Sequence, residues 1–391
     1  MTKEKLYKKF NNSKGKIYET LKEAKDYICF ILLSILIWLP LLRLLKPTAP
    51  YFVNGDYFLI LYIGIIGVYL FIANLILKFY TSIDKKQYLK NYLPIFLLFL
   101  YLVWTLVSCS FAKNKETAFL GSSYRREGLV TYIAYAGIFG LSFSITSTKI
   151  KKNLLYTFTV ISLTMIMLIQ TANHFKLKNL VECMDISVAS FSQFNHYGYY
   201  LLLSAAISSF LFISESKKIL KIVNLLFYIV FLYFLILNDT FGCYLAFFGT
   251  LIVFVILALF KKQKKSLIFT IIAIFVILSI FVNKNSTQNV AKKNLESLVK
   301  DAHNINTSDT KWKQVGTGRG ELWIYGLQFF SKRPILGYGA ENLGPLYSEL
   351  KIPQDRPHNI LIQLATTSGL PGLMLYCTAI RNYIIQKFQK I

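Results

Sequence analysis

Charge is scarce in this chain. Charged residues fill 16% of its 391 positions, against about 25% in a soluble domain. Acidic side chains are the scarcer kind, 19 against 44 Lys and Arg. Cysteines are few and scattered: Cys29, Cys109, Cys183, Cys243 and Cys377 show no CxxC spacing. The four histidines, His174, His196, His303 and His358, form no HExxH or similar ligand set. These absences exclude a disulfide framework and a zinc site, and no metal or cofactor is expected. The low charge does not fit a disordered chain. With a mean hydropathy of +0.47 it does not fit a soluble globular enzyme either. What is abundant is apolar surface: 54% hydrophobic residues, including 32 Phe and 26 Tyr. That is the composition of a polytopic membrane protein.

A helix needs about 20 mostly apolar residues to cross a bilayer. Such runs recur near 27–45, 57–77, 92–111, 129–147, 153–172, 196–213, 219–237, 241–260, 266–283 and 359–380. They are apolar all round, unlike a surface helix, and lack the alternation of barrel strands. The expected fold is therefore all-α, with about ten transmembrane helices. The first run follows 26 polar residues and is long enough to stay in the bilayer, so it is not a cleaved signal.

Basic residues set the orientation. The tail 1–26 holds eight Lys, from Lys3 to Lys25. Further clusters follow the second, fourth, sixth and eighth runs at Lys85, Lys151, Lys217 and Lys261, and Arg381, Lys387 and Lys390 close the chain. The intervening short loops carry fewer: Lys46, then Lys113, Lys115, Arg125 and Arg126, then Lys176 and Lys178. The positive-inside rule places both termini in the cytoplasm. The net charge of +25 is then mostly topology, and no nucleic acid is required. The expected organisation is a cytoplasmic basic tail at 1–26 and nine transmembrane helices over 27–283. An extracytoplasmic loop at 284–358 and a final helix with a cytoplasmic end at 359–391 complete it.

A loop of that length in a compact protein is functional or disordered. Its first part, 284–312, is polar and irregular. Its second part is organised: Gly316-Thr317-Gly318 reads as a turn, and Arg319 to Ser331 as a helix with Leu322, Trp323, Gly326, Leu327 and Phe330 at helical spacing. Pro334 stops that helix and Gly337-Tyr338-Gly339 turns the chain. The span interiors hold almost no ionisable groups, which weighs against an ion-coupled transporter. The polar chemistry gathers at the outer boundary instead: all four His, with Arg125, Arg126, Arg319, Arg333 and Arg356. A cationic face with a nearby imidazole suits a substrate whose phosphate lies at headgroup depth and whose tail lies in lipid.

Three groups of residues carry a resemblance. They are Gly318-Arg319-Gly320-Glu321-Leu322-Trp323, then Arg333-Pro334-Ile335-Leu336-Gly337-Tyr338-Gly339, then His358-Asn359 with Gly369-Leu370-Pro371-Gly372-Leu373. In this order they resemble the O-antigen ligase/polymerase family over residues 316–380. Weaker echoes lie at Gly121 to Leu129 and at Phe194-Asn195-His196-Tyr197-Gly198. The resemblance implies a GT-C-like helical membrane glycosyltransferase of the bacterial cytoplasmic membrane. Its donor would be a glycan on undecaprenyl diphosphate, its acceptor a saccharide or glycolipid hydroxyl at the outer face, and it would need no nucleotide sugar and no metal. The donor carbon is already activated by its diphosphate. The protein must stabilise the departing charge, a task for arginine, and accept a hydroxyl proton, a task for histidine. Arg319 is assigned to the diphosphate and His358 to the acceptor hydroxyl. Arg125, Arg126, Arg356, Asn359 and Trp323 are candidate diphosphate or glycan contacts.

The chain departs from the family pattern in two places. Many members open the span corresponding to 241–260 with Ser-Arg-Gly, whereas this chain reads Asn238-Asp239-Thr240-Phe241-Gly242-Cys243. Arg125, Arg126 or Arg356 would have to replace the missing cation. Relatives also often continue with further spans beyond the last one here. Ligase and polymerase share donor and signature, so both stay open, as do a polysaccharide or lipid flippase and a non-catalytic scaffold. Structural readings stand beside the functional ones. Arg319 can stack on Trp323, His358 can cap the last helix, Arg356 can anchor at the membrane surface, and Arg125 and Arg126 can be solvated charges. Asn195 and His196 read as helix caps, and His174 and His303 as solvated.

Overall fold

The computed structural model describes residues 3–45, 50–82, 84–123, 125–175, 190–191, 193–238, 240–260, 265–285, 296, 299–301 and 315–388. Most of the polar stretch 284–312 falls outside them, as do Lys46, Tyr124, Lys176, Lys178, Cys183, Asp239, Lys261 and His303. Every regular element among the described residues is an α-helix. Seven are long and apolar enough to cross a membrane by length and composition: Glu19–Leu44, Gly55–Tyr80, Lys85–Ser110, Thr148–His174, Phe194–Ser214, Lys218–Leu237 and Ile360–Gln386. Leu129–Ser144 and Ile268–Ile280 are shorter apolar helices, and the remaining apolar run coincides with the helix Phe241–Phe260. The chain is a polytopic all-α membrane protein.

It divides into two compact units, Met1–Asp56 with Ile145–Glu296, and Tyr57–Ser144 with Ser297–Ile391. The first holds α1 (Lys3–Leu45), α6 (Thr148–His174), α7 (Phe194–Ser214), α8 (Lys218–Leu237), α9 (Phe241–Phe260) and α10 (Lys265–Asn285). Its core joins Leu41 and Leu44 to Met165, Ile169, Leu201, Tyr228, Phe231, Phe247 and Phe275. Two buried acids fasten helix ends. Asp26, 1% exposed, accepts from the backbone N–H groups of Thr146 and Ser147, and so ties α1 to the start of α6. Glu215 ends α7 and pairs with Lys152, while Tyr156 donates to it at 2.9 Å. Lys152, with the N–H groups of Lys217 and Ser216, holds the Glu215 carboxyl well below the usual range.

The second unit holds most of α2 (Pro50–Thr81), with α3 (Lys85–Ser110), α4 (Lys115–Leu120), α5 (Leu129–Ser144), α11 (Val315–Lys332), α12 (Gly344–Glu349) and α13 (Ile360–Phe388). α2 and α5 cross at glycine: a Cβ on Gly137 would lie 1.8 Å from the Gly64 carbonyl oxygen. Small residues let membrane helices approach this closely.

α13 is broken. Gly369 sits at φ 68°, ψ −176°, and Pro371 follows it. The break receives the Arg333–Gly339 turn. Tyr338 and Gly339 donate to the carbonyls of Thr366 and Thr367, and Leu370 donates to Pro334. From α3, the Ser108 hydroxyl reaches the Leu336 and Thr367 carbonyls, and the Trp104 indole reaches Ser368. Irregular backbone among membrane helices needs such partners, because lipid supplies none. The two glycine-bearing motifs, distant in sequence, are thus two halves of one backbone junction.

The Gly316-Thr317-Gly318 segment, expected as a turn, forms the opening of α11, with Gly316 and Gly318 at positive φ. The buried stripe of α11 also differs from expectation. Phe329 is buried, edge-on to Tyr338 and Tyr347, while Leu327 is 52% exposed. Packing against α12 and the Gly-Tyr-Gly turn selects the face.

Candidate functional site

The candidate residues of the second unit come from three segments: the turn after α4, the start of α11, and the stretch between Asn342 and α13. The first is anchored by Glu341. One of its carboxylate oxygens accepts from the backbone N–H groups of Ser122 and Glu127. Asn342 joins the same parts, exchanging hydrogen bonds with the Asn114 backbone at 3.2 and 3.1 Å.

Arg125 and Arg356 meet carboxylates here. Arg125 donates twice to Asp355, its Nη2 to Oδ1 at 3.0 Å and its Nε to Oδ2. Arg356 is 17% exposed, with Nη1 2.9 Å from Glu127 Oε2 and Nη2 3.7 Å from Glu341 Oε1. Its Nε is buried without a hydrogen bond, 3.6 Å from Asp355 Oδ1. Arg126 lies over the Tyr57 ring, 5.0 Å from its centre. Three of the candidate arginines are therefore engaged by protein groups: two by carboxylates and one by an aromatic face.

Arg319 stands apart. It is exposed at the opening of α11, and no carboxylate pairs with it among the described residues. One turn on, the Trp323 indole N–H is buried and finds no acceptor among them. Trp323 packs beside Leu322, Phe329, Leu343 and Tyr347, so its ring is fixed while its one polar atom is left over. Buried polar atoms are normally satisfied. The Trp323 N–H is one of the few exceptions among the described residues, and it lies one turn from Arg319.

His358 completes the group. Its pKa is lowered, first by burial, then by the charges of Arg319, Arg356 and Arg125, against an opposing pull from Asp355. The imidazole therefore lies within the field of Arg319, though 39 residues separate them in sequence. Asp355 is also lowered. Burial works against its ionisation, but the Arg125 bond and the charges of Arg125 and Arg356 prevail. The helix cap that His358 could have been is supplied by Asn359, whose side-chain oxygen accepts from Leu361 and Ile362. Among the described residues four non-glycine residues lie in the left-handed region, and three of them belong here: Arg126, Glu341 and His358, at φ 55°, 50° and 50°. Strained backbone of this kind persists where surroundings over-determine it and clusters at functional sites.

Residues 226–377 match the family model of the O-antigen ligase. The matched stretch runs from α8 into α13 and contains the Arg319, Trp323 and His358 motifs. No curated protein and no solved structure matches the chain. Over the matched stretch the chain is similar to the O-antigen ligase family, within a multi-pass all-α membrane protein. At 238–243, where the sequence departs from the expected Ser-Arg-Gly, the described residues form a polar knot. Asn238 donates to the Phe194 carbonyl and accepts from Thr240, beside Gly198.

Sequence reasoning named the cations and missed the acids that hold them. Glu127, Glu341 and Asp355 were passed over, although a signal was present. In a chain with 19 acidic residues, a carboxylate directly beside Arg126 or Arg356 stands out.

Proposed function

We propose that this protein transfers or polymerises a glycan carried on undecaprenyl diphosphate, with an acceptor hydroxyl, at the outer face of the bacterial cytoplasmic membrane. Both termini lie in the cytoplasm in this reading, as the distribution of lysines requires. The observation that supports it best is the division of labour among the polar groups. Arg125 and Arg356 are neutralised by carboxylates, whereas Arg319 and the Trp323 indole N–H keep donors for a ligand, and His358 is held towards its neutral form.

Three events make up the transfer. The acceptor oxygen attacks the anomeric carbon, the bond from that carbon to the diphosphate oxygen breaks, and the electron pair leaves with the diphosphate. Arg319 offers a fixed pair of N–H donors to the charge that develops there. Neutral His358 takes the hydroxyl proton as the new glycosidic bond forms. A neutral imidazole accepts a proton, while an imidazolium does not, so the cations around His358 serve the base role by disfavouring its charged form. Trp323 can donate to a diphosphate or glycan oxygen through its indole.

The test is transfer in vitro. Purified protein in nanodiscs, given a polyprenyl-diphosphate-linked oligosaccharide and an acceptor glycan, should release polyprenyl diphosphate and extend the acceptor. Full turnover by both Arg319→Ala and His358→Ala would remove the catalytic assignment. Absence of any transfer by the native chain, with donor and acceptor from its own cells, would remove the enzymatic reading.

A further inference from the structure

We propose that Glu341 is a positioning residue of this site: its carboxylate joins Arg356 to the 122–127 turn and so fixes a charge-balanced guanidinium two residues from His358. The inference rests on the catalytic reading of His358 given above.

Glu341 has a fixed place because both its neighbours in sequence are pinned. Before it, Tyr338 and Gly339 are bonded to the Thr366 and Thr367 carbonyls in the break of α13, and Ala340 is 1% exposed. After it, Asn342 is locked to Asn114. Held between them, Glu341 adopts φ 50°, a left-handed conformation unfavourable for a non-glycine residue. Its carboxylate is 7% exposed and its two oxygens do different work. Oε2 takes the Ser122 and Glu127 N–H groups at 2.5 and 3.1 Å, while Oε1 faces Arg356 Nη2 at 3.7 Å. Glu127 closes the figure, since the residue that donates its N–H to Glu341 also pairs its side chain with Arg356 Nη1. A triangle of Glu341, Glu127 and Arg356 results, with the break in α13 as its foundation.

The consequence reaches His358 through charge. The groups acting on its imidazole are Arg319 from α11, Arg125 from the turn after α4, and Asp355 and Arg356 from its own segment. Arg356 would impose its full positive field if it were unbalanced. Glu341 and Glu127 hold that guanidinium in place from two sides, and so set how much of its field reaches His358.

Replacing the acid by its amide separates the two tasks. In Glu341→Gln one oxygen remains to accept from Ser122 and Glu127, but the charge facing Arg356 is lost. The imidazoles of full-length protein in nanodiscs can be titrated by NMR of 15N-labelled histidine, with His358 assigned by its loss in His358→Ala. The His358 midpoint should fall by about half a pH unit in Glu341→Gln and return towards the native value in Glu341→Asp. The shift should shrink to near zero when the same change is made in an Arg356→Gln background, because Glu341 then has no guanidinium to hold in place. An unmoved midpoint, or a shift of equal size in both backgrounds, overturns the proposal. Should Glu341→Gln accumulate poorly, the paired variant with Arg356→Gln decides: recovery of folded protein supports coupling through Arg356, and equal loss in both backgrounds overturns it. The titration requires no turnover. Failure of the positioning role is therefore seen here, while failure of the catalytic reading is seen in the turnover of the Arg319 and His358 variants.

Discussion

Gly369 and Ile335 meet backbone to backbone: a Cβ at position 369 would lie 1.9 Å from the Ile335 carbonyl oxygen. From the other side, a Cβ on Gly337 would lie 2.5 Å from the Thr367 carbonyl. Neither neighbour is a flexible side chain that could yield, so both motifs need glycine for space as well as for their positive φ.

Gly369→Ala should therefore cost more than the roughly 1–3 kcal/mol of an unfavourable backbone conformation, since the overlap adds to it. The expected outcome is a lower melting temperature in detergent and poor accumulation in the membrane. Exposed Leu370→Ala, one residue on, should leave melting nearly unchanged. Equal melting of Gly369→Ala and native protein would contradict the junction.

Arg319→Ala should lower the transfer rate by about 10²- to 10³-fold, the usual result of removing one donor aimed at developing charge. Arg319→Lys should restore little, because an ammonium does not reproduce the planar fork. His358→Ala should cost about 10²- to 10⁴-fold. Both should accumulate normally, since neither side chain bonds another protein group among the described residues. Single-turnover transfer with quantified membrane protein checks all three.

The pH dependence has a definite sign. If neutral His358 is the base, activity falls as pH drops through its midpoint, and that midpoint lies below the ordinary 6.5 because burial and then Arg319, Arg356 and Arg125 disfavour the charged form. The acid limb of kcat/KM should accordingly sit below pH 6.5. Arg319→Gln should raise the His358 midpoint, by removing one of those cations, and this can be read by imidazole titration even if turnover is too slow to follow. A limb above pH 6.5 would assign the proton to another group.

Asp355→Asn tests the ion pair. The side chains of Arg125 and Asp355 are 26% and 39% exposed, so solvent screening limits the pair to about 1 kcal/mol. The Asp355 carboxyl is lowered on folding. Its contribution is therefore present above the unfolded value of about 3.9 and is lost as pH falls through the lower folded value. The melting difference between native protein and Asp355→Asn should be clear at pH 7 and should fade below pH 4. A difference that persists unchanged at low pH would mean that the carboxylate charge is not what matters.

Much of this was legible beforehand. Membrane helices announce themselves because hydrocarbon leaves the chain few alternatives, and each expected apolar run contains a helix. The helix through Arg319 and the glycine turn after Pro334 were also readable, from spacing and from the local rules for proline and glycine. Other features depended on tertiary contact. Arg125 and Asp355 find each other across 230 positions, and nothing near either residue announces that. The same holds for the mutual fit of Gly337 and Gly369, whose motifs were visible without their being one joint. Helical spacing picks out Leu322, Trp323, Gly326, Leu327 and Phe330, yet Phe329 is buried and Leu327 exposed, because a short amphipathic segment offers two neighbouring faces and Tyr338 and Tyr347 choose between them. The Asn359 side-chain oxygen accepts from the first turn of α13, a local cap bond that its position at the start of the last apolar run makes readable.

That separation of Arg125 from Asp355 also has a history in time. A ribosome adding about 5–20 residues per second delivers the arginine roughly ten seconds to most of a minute before its carboxylate. Throughout that interval the nascent polypeptide carries Arg125 without Asp355, on the connection between α4 and α5. The ion pair with Asp355 therefore forms only after the helices between the two residues have been made, as a late clasp on a chain that already holds α5 to α10.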